Sequence, residues 1–219
     1  MQIQKCVGLL LPVMMTCAGV DIVKQGNPCA DIVISENADA GTVLAAKDLQ
    51  THLHKISGAR FAIVTPQKAK ASAFLCVGES STSKKAGYKS PDFKTSGYDI
   101  WVKGNCVVLN GPVTLHKKAV IDGKLHKNST VATITTPVEN NPALKVSLAD
   151  DHGVMHAVSA FLEHLGVRFY APYKNGTIIP QLKDIKLGDF RETREVKDRP
   201  RRCREWKARD SFCPSPHRR

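Results

Sequence analysis

Two histidines one helical turn apart, His152 and His156, come nearest in this sequence to a metal-binding or catalytic spacing. Histidines at i and i+4 share one face of a helix, and zinc peptidases use this spacing as HExxH, with a glutamate as base. Here the intervening residues are Gly153, Val154 and Met155, so the glutamate is missing. The pattern therefore favours two histidines that face water over a metal site.

Acidic residues lie on both sides of these histidines, but their positions favour structural roles. Asp150 and Asp151 stand together at the predicted start of the helix, where a carboxylate caps free N–H groups and complements the helix dipole. Glycoside hydrolysis by two carboxyl groups instead needs them about 5 to 9.5 Å apart across a cleft. Glu163 lies off the apolar face and is expected in solvent. No acid–base pair is predicted here.

The segment GESSTSKK, residues 78–85, follows an apolar strand and contains glycine, serine and lysine. It lacks the GxxxxGK[ST] order of a phosphate-binding loop, so it predicts a surface loop. The sequence as a whole thus predicts no catalytic residue, no cofactor-binding residue, no metal ligand and no cofactor.

Two amphipathic helices are predicted to position these segments. The second carries the histidines, and its apolar residues form a single stripe: Val154, Ala157, Val158, Phe161, Leu162 and Leu165. Gly166 is its predicted left-handed end. The first helix begins at Asp39 or Thr42 and ends at Gly58. Its apolar face also recurs at steps of three and four, at Ala46, Leu49, Leu53 and Ile56.

Strands alternate with these helices. Short apolar runs predict strands within residues 21–28, 31–35, 61–66, 74–80, 98–103, 106–109, 167–172 and 184–187. Gly104 and Asn105, between two of these runs, give the clearest hairpin signal. Residues 112–143 are mostly polar and predict a loop-rich insertion, with an extra short strand at 131–137. The pattern predicts an α+β class, an α/β sandwich in which two main helices pack on a mixed β-sheet.

The two ends of the chain differ from this middle part. Residues 1–19 contain Lys5, an apolar run and small residues, a pattern typical of a signal peptide, so a secreted or periplasmic protein is expected. The apolar run is too short for a membrane span, and Met-Met-Thr before Cys17 is a poor lipid-attachment sequence. Residues 191–219 hold 11 Lys or Arg against 5 Asp or Glu, half of the net charge of +12. We therefore predict a folded domain over residues 20–190 and a basic tail over 191–219.

Five cysteines follow the predicted signal peptide, an odd number at irregular spacing and without a CxxC pair. This pattern favours neither a disulfide framework nor a structural zinc site. Cys76 and Cys106 lie within apolar runs and are expected to be buried free thiols.

The order of these segments resembles a known module. The resemblance rests on three motifs: LAAKDLQTHLHKISGARFAIV, the hairpin YDIWVKGNCVVLNG, and D-x-G-x-x-x-A-V-x-x-F-L-E-x-L-G-V-R-F-Y-A-P. Together they resemble the non-catalytic N-terminal domain that precedes the barrel of α-glucuronidases and of β-hexosaminidase-like glycoside hydrolases. The resemblance covers roughly residues 20–200, apart from the insertion at 112–143.

The resemblance implies an accessory domain of a secreted glycoside hydrolase-like protein of polysaccharide metabolism. Its catalytic residues would lie in a following (β/α)₈ barrel of about 250 residues, so this chain is expected to be inactive by itself. Arg204, Glu205 and Trp206 resemble the start of the connection to that barrel. Residues 207–219 depart from the family, which suggests a truncated or frameshifted product.

Two other functions remain open from the residues alone. The chain could be a stand-alone module that binds a polysaccharide, or its basic tail could bind a polyanion through counterion release. A basic tail of this kind predicts no specific nucleic-acid partner.

Overall fold

The computed structural model describes residues 19–93, 97–114, 120–121, 124–125, 151–170 and 176–195. The helices in these ranges are α1 (Ala40–Ser57), α2 (Ser81–Lys85) and α3 (Gly153–His164). The strands are β1 (Val20–Lys24), β2 (Asn27–Pro28), β3 (Ala30–Ile34), β4 (Ile63–Val64), β5 (Ala73–Val77), β6 (Gly97–Lys103), β7 (Cys106–Asn110), β8 (Val113–Thr114), β9 (Val120–Ile121), β10 (Lys124–Leu125), β11 (Asp151–His152), β12 (Arg168–Phe169), β13 (Thr177–Ile178), β14 (Ile185–Leu187) and β15 (Phe190–Glu195).

A six-stranded mixed sheet forms the centre of the fold, in the order β15-β6-β7-β5-β3-β4. Strands β3, β4, β5 and β7 are parallel, whereas β6 runs antiparallel to both β7 and β15. The β6–β7 pair is the predicted hairpin around Gly104 and Asn105. The predicted α+β class with a mixed sheet is therefore confirmed.

Helices α1 and α3 pack side by side on one face of this sheet. The predicted stripe of α3 is buried along its whole length, and Phe161 and Leu162 are completely inaccessible to solvent. The predicted face of α1 is buried in the same cluster. Full burial of each large apolar side chain contributes about 1.5–3 kcal/mol, so the two stripes hold the helices against the sheet. A smaller cluster around Val33, Cys76 and Val108 covers the opposite face.

One capping residue at each end determines where α1 begins and where it ends. Asp39 is the N-cap: its Oδ1 accepts a hydrogen bond from the Thr42 backbone N–H at 2.9 Å, which decides between the two candidate caps. Gly58 ends the helix in the left-handed region, at φ 79°. Its N–H donates to the carbonyl of His54 at 2.7 Å. Glycine accepts this conformation because it has no Cβ.

The start of α3 differs from the prediction. Asp151 and His152 form strand β11, which pairs with β8, and the helix begins only at Gly153. The N-cap position therefore falls at His152 rather than at Asp151, and Asp150 lies outside the described residues. The reason is tertiary: the Gly153 N–H donates to the carbonyl of Pro112 at 2.9 Å, which keeps the preceding residues extended. Gly166 ends the helix region at φ 97°, as predicted.

The last strand extends the folded unit beyond the expected domain boundary. Strand β15 pairs with β6 over six residues, from Phe190 opposite Val102 to Glu195 opposite Gly97. Residues 191–195, assigned from sequence to the basic tail, thus belong to the sheet. Three predicted segments lie outside the described residues: residues 1–18 of the signal peptide, the extra strand at 131–137, and the remainder of the tail at 196–219. The same holds for Cys17, Cys203 and Cys213.

Candidate functional site

A crevice opens at the carboxyl ends of parallel strands β3, β5 and β7. The chain leaves β3 through α1 to reach β4 on one side, and then returns to place β5 on the other side of β3. The connections after β3 and β5 thus diverge, which is the topological switch point where open α/β sheets bind their ligands. We call this feature the strand-end crevice.

The strand-end crevice has a volume of about 220 Å³ and a polar lining. The polar side chains that line it are Ser35, Asn37, Asp39, Thr42, Glu79 and Asn110. They come from the loop after β3, the first turn of α1, the residue pair after β5 and the end of β7. Val154, at the start of α3, adds one apolar wall.

Close backbone packing shapes the walls of the crevice. Gly78 has a φ of 74°, and a Cβ added there would lie 3.4 Å from Thr42 Cγ2. Gly111 and Gly153 are in backbone contact, so a Cβ on either one would overlap the other loop. Side chains at these positions would therefore strain the backbone or fill the site, which explains why β5 and β7 are each followed directly by a glycine.

Asp39 carries two roles at this site. Its Oδ1 accepts from the Thr42 N–H at 2.9 Å, and its Oδ2 accepts from Thr42 Oγ1 at 2.8 Å. Thr42 is only 5% exposed, so the pair is rigidly placed. The carboxylate thus completes the first turn of α1 while it lines the crevice.

Asn110 connects the crevice to a buried polar network. Its Nδ2 donates to Tyr88 Oη at 3.2 Å and to Ser90 Oγ at 3.0 Å, and the side chain is 7% exposed. Tyr88 Oη in turn donates to Asp99 Oδ2 at 2.9 Å. Burial and the charge of Asp99 raise the pKa of Tyr88 far above its usual value, so the phenol remains a donor.

Asp99 lies in the middle of β6 and is completely buried. Arg191 donates to it through Nε at 3.1 Å and through Nη2 at 2.9 Å, and Thr193 Oγ1 donates to Oδ1. The hydrogen bond to Asp99 raises the pKa of Arg191. Arg191 Nη2 also donates to the carbonyl of Lys89 at 2.9 Å. The network ties β15 and the loop before β6 to the sheet.

The residues singled out from the sequence lie apart from this network. His156 is exposed on α3, as expected, whereas Glu163 is half-buried rather than fully solvated. The side chain of His152 lies outside the described set. Residues 81–85 form α2, and Ser80 and Ser83 cap each other's backbone N–H groups at its start. In the part of the chain that the structure describes, no group of three or more His, Cys, Asp or Glu has metal-binding geometry.

Cys76 and Cys106 are buried free thiols, as the apolar runs predict. Their sulfur atoms lie 3.8 Å apart between neighbouring strands β5 and β7. The hydrogen bond between the thiols and burial both raise the pKa of Cys106 far above its usual value. A protonated, inaccessible thiol is a poor nucleophile, so this pair acts as packing.

A small apolar surface lies on the β12–β13 ribbon. Three large apolar side chains are exposed among the described residues: Phe169 by 42%, Tyr170 by 71% and Ile178 by 57%. All three belong to or directly follow these two strands. The ring of Phe169 makes an edge contact with His52 of α1, with 5.6 Å between ring centroids. We call Tyr170, Ile178 and Phe169 together the ribbon surface. No helix within the described ranges is long and apolar enough to cross a membrane.

Sequence reasoning named Asp39, Thr42 and the segment 78–85 but did not predict that they share one site with Asn110, although two signals point to this site. Asn110 ends the buried strand β7 and Gly111 follows it, whereas Gly78 and Glu79 directly follow β5. Polar residues and glycine at the carboxyl ends of parallel strands mark the binding edge of such sheets. The parallel pairing that brings these ends together is not visible in the sequence.

Comparison with known proteins finds a likeness in fold to a solved structure. No protein-family model and no curated protein sequence matches the chain. A solved structure covers 80% of this chain with a TM-score of 0.51 and 15% sequence identity. That protein is BtGH115A, a family GH115 4-O-methyl-α-glucuronidase described as having specificity for decorated arabinogalactans. The likeness shows the fold alone, and this chain spans 18% of the length of that enzyme.

Proposed function

We propose that this chain is a non-catalytic accessory domain of a secreted glycoside hydrolase-like protein of polysaccharide metabolism. The observation that carries the proposal is the structural match, which covers 80% of this chain but 18% of the glucuronidase. A domain that corresponds to so small a share of an enzyme works beside other domains. The partner we propose is a catalytic (β/α)₈ barrel, normally in the same chain.

The chemistry of the crevice supports a role in binding rather than catalysis. Asp39 is engaged as a helix cap by both of its oxygens. Glu79 is exposed, and its Oε2 lies 3.6 Å from Lys84 Nζ. Neither carboxylate is placed in an apolar pocket of the kind that glycosidases use for their general acid. The lining therefore offers hydrogen-bonding groups without a positioned acid–base pair.

The ribbon surface supports a role beside another domain. Exposed Tyr170 and Ile178 present apolar area next to Arg168, and tyrosine and arginine are enriched at the centres of protein interfaces. Single exposed apolar residues are common, but three on one short ribbon form a patch. We propose that this surface contacts the catalytic barrel.

Two measurements test the accessory role. The purified chain, incubated with glucuronoxylan and with aryl glycosides, should release no sugar, and turnover above background would overturn the non-catalytic role. A barrel encoded by the same genome, expressed as a separate chain, should bind the chain in analytical ultracentrifugation. A Tyr170→Ser, Ile178→Ser double variant should weaken that complex, whereas Lys68→Ser, an exposed position beyond β4, should not.

Complex formation that is equally strong in all three proteins would refute the ribbon surface as the contact. Failure of the unmodified chain to bind the barrel would refute the partnership. Export belongs to the same proposal: expression in a bacterium that secretes such enzymes should yield a chain whose first residue lies near Gly19, as read by N-terminal sequencing.

A further inference from the structure

The strand-end crevice combines electrostatic features of opposite sign. Asp39 and Glu79 place two carboxylates in its lining, which disfavours an anionic ligand. The first turn of α1 also begins there, and a helix N-terminus carries about half a positive charge. Lys84 adds a positive charge 3.6 Å from Glu79. The helix N-terminus and Lys84 together offset most of the charge of the two carboxylates, so the surroundings of the crevice are close to neutral and suit an uncharged ligand.

The hydrogen-bonding groups of the lining match a ligand that both donates and accepts. Carboxylate oxygens of Asp39 and Glu79 accept, whereas the hydroxyl of Ser35 and the amide of Asn37 do both. Sugar hydroxyl groups also do both, since each has one O–H donor and two lone pairs. A polyhydroxylated molecule therefore satisfies more of this lining than an apolar molecule of the same size.

Asn110 is held in one orientation at the wall of the crevice. Both bonds from its Nδ2, to Tyr88 and to Ser90, fix the amide plane, and the side chain is 93% buried. The amide oxygen takes no part in these two bonds. Asn110 thus lines the crevice with its amide plane already fixed, so a ligand that contacts it incurs no further cost of ordering this side chain.

The size of the crevice suits one small molecule. Its volume is about 220 Å³, and it is open to solvent. An open crevice of this size can hold one sugar ring while the rest of a longer chain extends into solvent. Val154 provides an apolar wall against which the carbon face of such a ring can lie.

From these observations we infer that the strand-end crevice binds a single neutral sugar residue. The assignment to a sugar rather than another neutral polyol rests on the proposed function. The site would let the accessory domain hold one residue of a polysaccharide chain while the barrel acts elsewhere on that chain. Asn37, Glu79 and Asn110 are the side chains that select the ligand.

The full chain can be tested directly with neutral methyl glycosides of xylose and galactose. Titration followed by ¹⁵N amide spectra should give saturable shifts at Gly78 and Gly111, which border the crevice. An Asn37→Ala, Glu79→Gln double variant should bind at least about tenfold more weakly, since it loses a hydrogen bond to a charged group and one to an amide. Glu36→Gln, exposed on the same loop but outside the lining, is the matched control and should bind normally.

Charged sugars distinguish the alternatives. Glucuronate and glucosamine should each bind more weakly than the neutral glycosides, and tighter binding of either one would overturn the argument from charge. The absence of saturable shifts up to the solubility limit, or equal binding by the double variant, would overturn the site itself. Hydrolysis by the chain would refute the accessory role but leave this titration unchanged, so the two failures are separable.

Discussion

Replacing Arg191 with alanine removes two of the four side-chain hydrogen bonds that described residues donate to the Asp99 carboxylate. Asp99 is completely buried, whereas the side chain of Arg191 is 41% exposed. The variant therefore leaves a buried carboxylate with only Tyr88 and Thr193 as donors. We expect a marked loss of stability, because an unpaired buried charge keeps its desolvation cost without its partner.

The magnitude follows from the geometry of the pair. Removal of one partner of a fully buried ion pair costs about 3–5 kcal/mol, and each hydrogen bond to a charged group contributes about 1.5–3 kcal/mol. Since Arg191 is partly exposed, water can enter the space left by its side chain and reach Asp99. We therefore expect a loss of about 2–3 kcal/mol in the free energy of unfolding. Arg191→Lys keeps the positive charge but cannot form the bidentate hydrogen bond to Asp99. It should therefore lower the free energy of unfolding by less than Arg191→Ala does.

Urea unfolding, followed by far-UV circular dichroism, measures this loss. With a urea slope of about 2 kcal/mol/M, Arg191→Ala should lower the midpoint by about 1 M or more. Arg194→Ala is the matched control on the same strand, since Arg194 is 66% exposed and pairs with Glu192 at the surface. Its cost should be below about 1 kcal/mol and should vanish in concentrated salt. Equal losses for the two variants would refute the assignment of Asp99 and Arg191 as a stabilising buried pair.

Three further predictions concern single side chains. Phe161→Ala should lower the free energy of unfolding by about 3–5 kcal/mol because it leaves a cavity between α3 and the sheet, and urea unfolding measures the loss. Asp39→Ala should cost about 1 kcal/mol through the lost N-cap, with Asp39→Asn, which retains a capping oxygen, as the control. The hydrogen bond that His52 Nδ1 donates to the Asp48 carboxylate raises the pKa of His52 above its usual value, so this pair should stabilise the fold below about pH 6.5 and lose that effect as the pH rises through the folded pKa. Urea midpoints measured from about pH 5 to about pH 8 should show a pH-dependent difference from His52→Gln, and identical pH profiles would refute it.

The two main helices were predictable because local signals and tertiary packing agree there. The apolar stripe of α3 from Val154 to Leu165 is buried as its period indicates, and Gly58 and Gly166 end their helices with positive φ. The β6–β7 hairpin was also visible, since two apolar runs flank Gly104 and Asn105. In each case the information lies within about twenty consecutive residues, which is the range that periodicity and capping can reach.

The start of α3 and the strand-end crevice depend instead on contacts distant in sequence. Asp151 has the residue type of a helix cap, but pairing of β11 with β8 and the bond from Gly153 to Pro112 override that local preference. The crevice exists only because β3, β5 and β7 are parallel neighbours. No local pattern around Asn110 shows which strand will lie beside it.

Strand β15 shows how a buried charge can make a polar segment part of a sheet. Its sequence FRETRE is highly charged and predicts a solvated tail. The strand nevertheless pairs with β6, in a register that places Thr193 opposite Asp99 and Arg191 opposite Trp101. A slip by one residue would turn Arg191 to the other face and leave Asp99 without its strongest partner. The buried carboxylate thus selects one register for an edge strand that has little apolar surface of its own. Because Tyr88 bonds to both Asp99 and Asn110, the residues that fix this register also orient a side chain of the crevice.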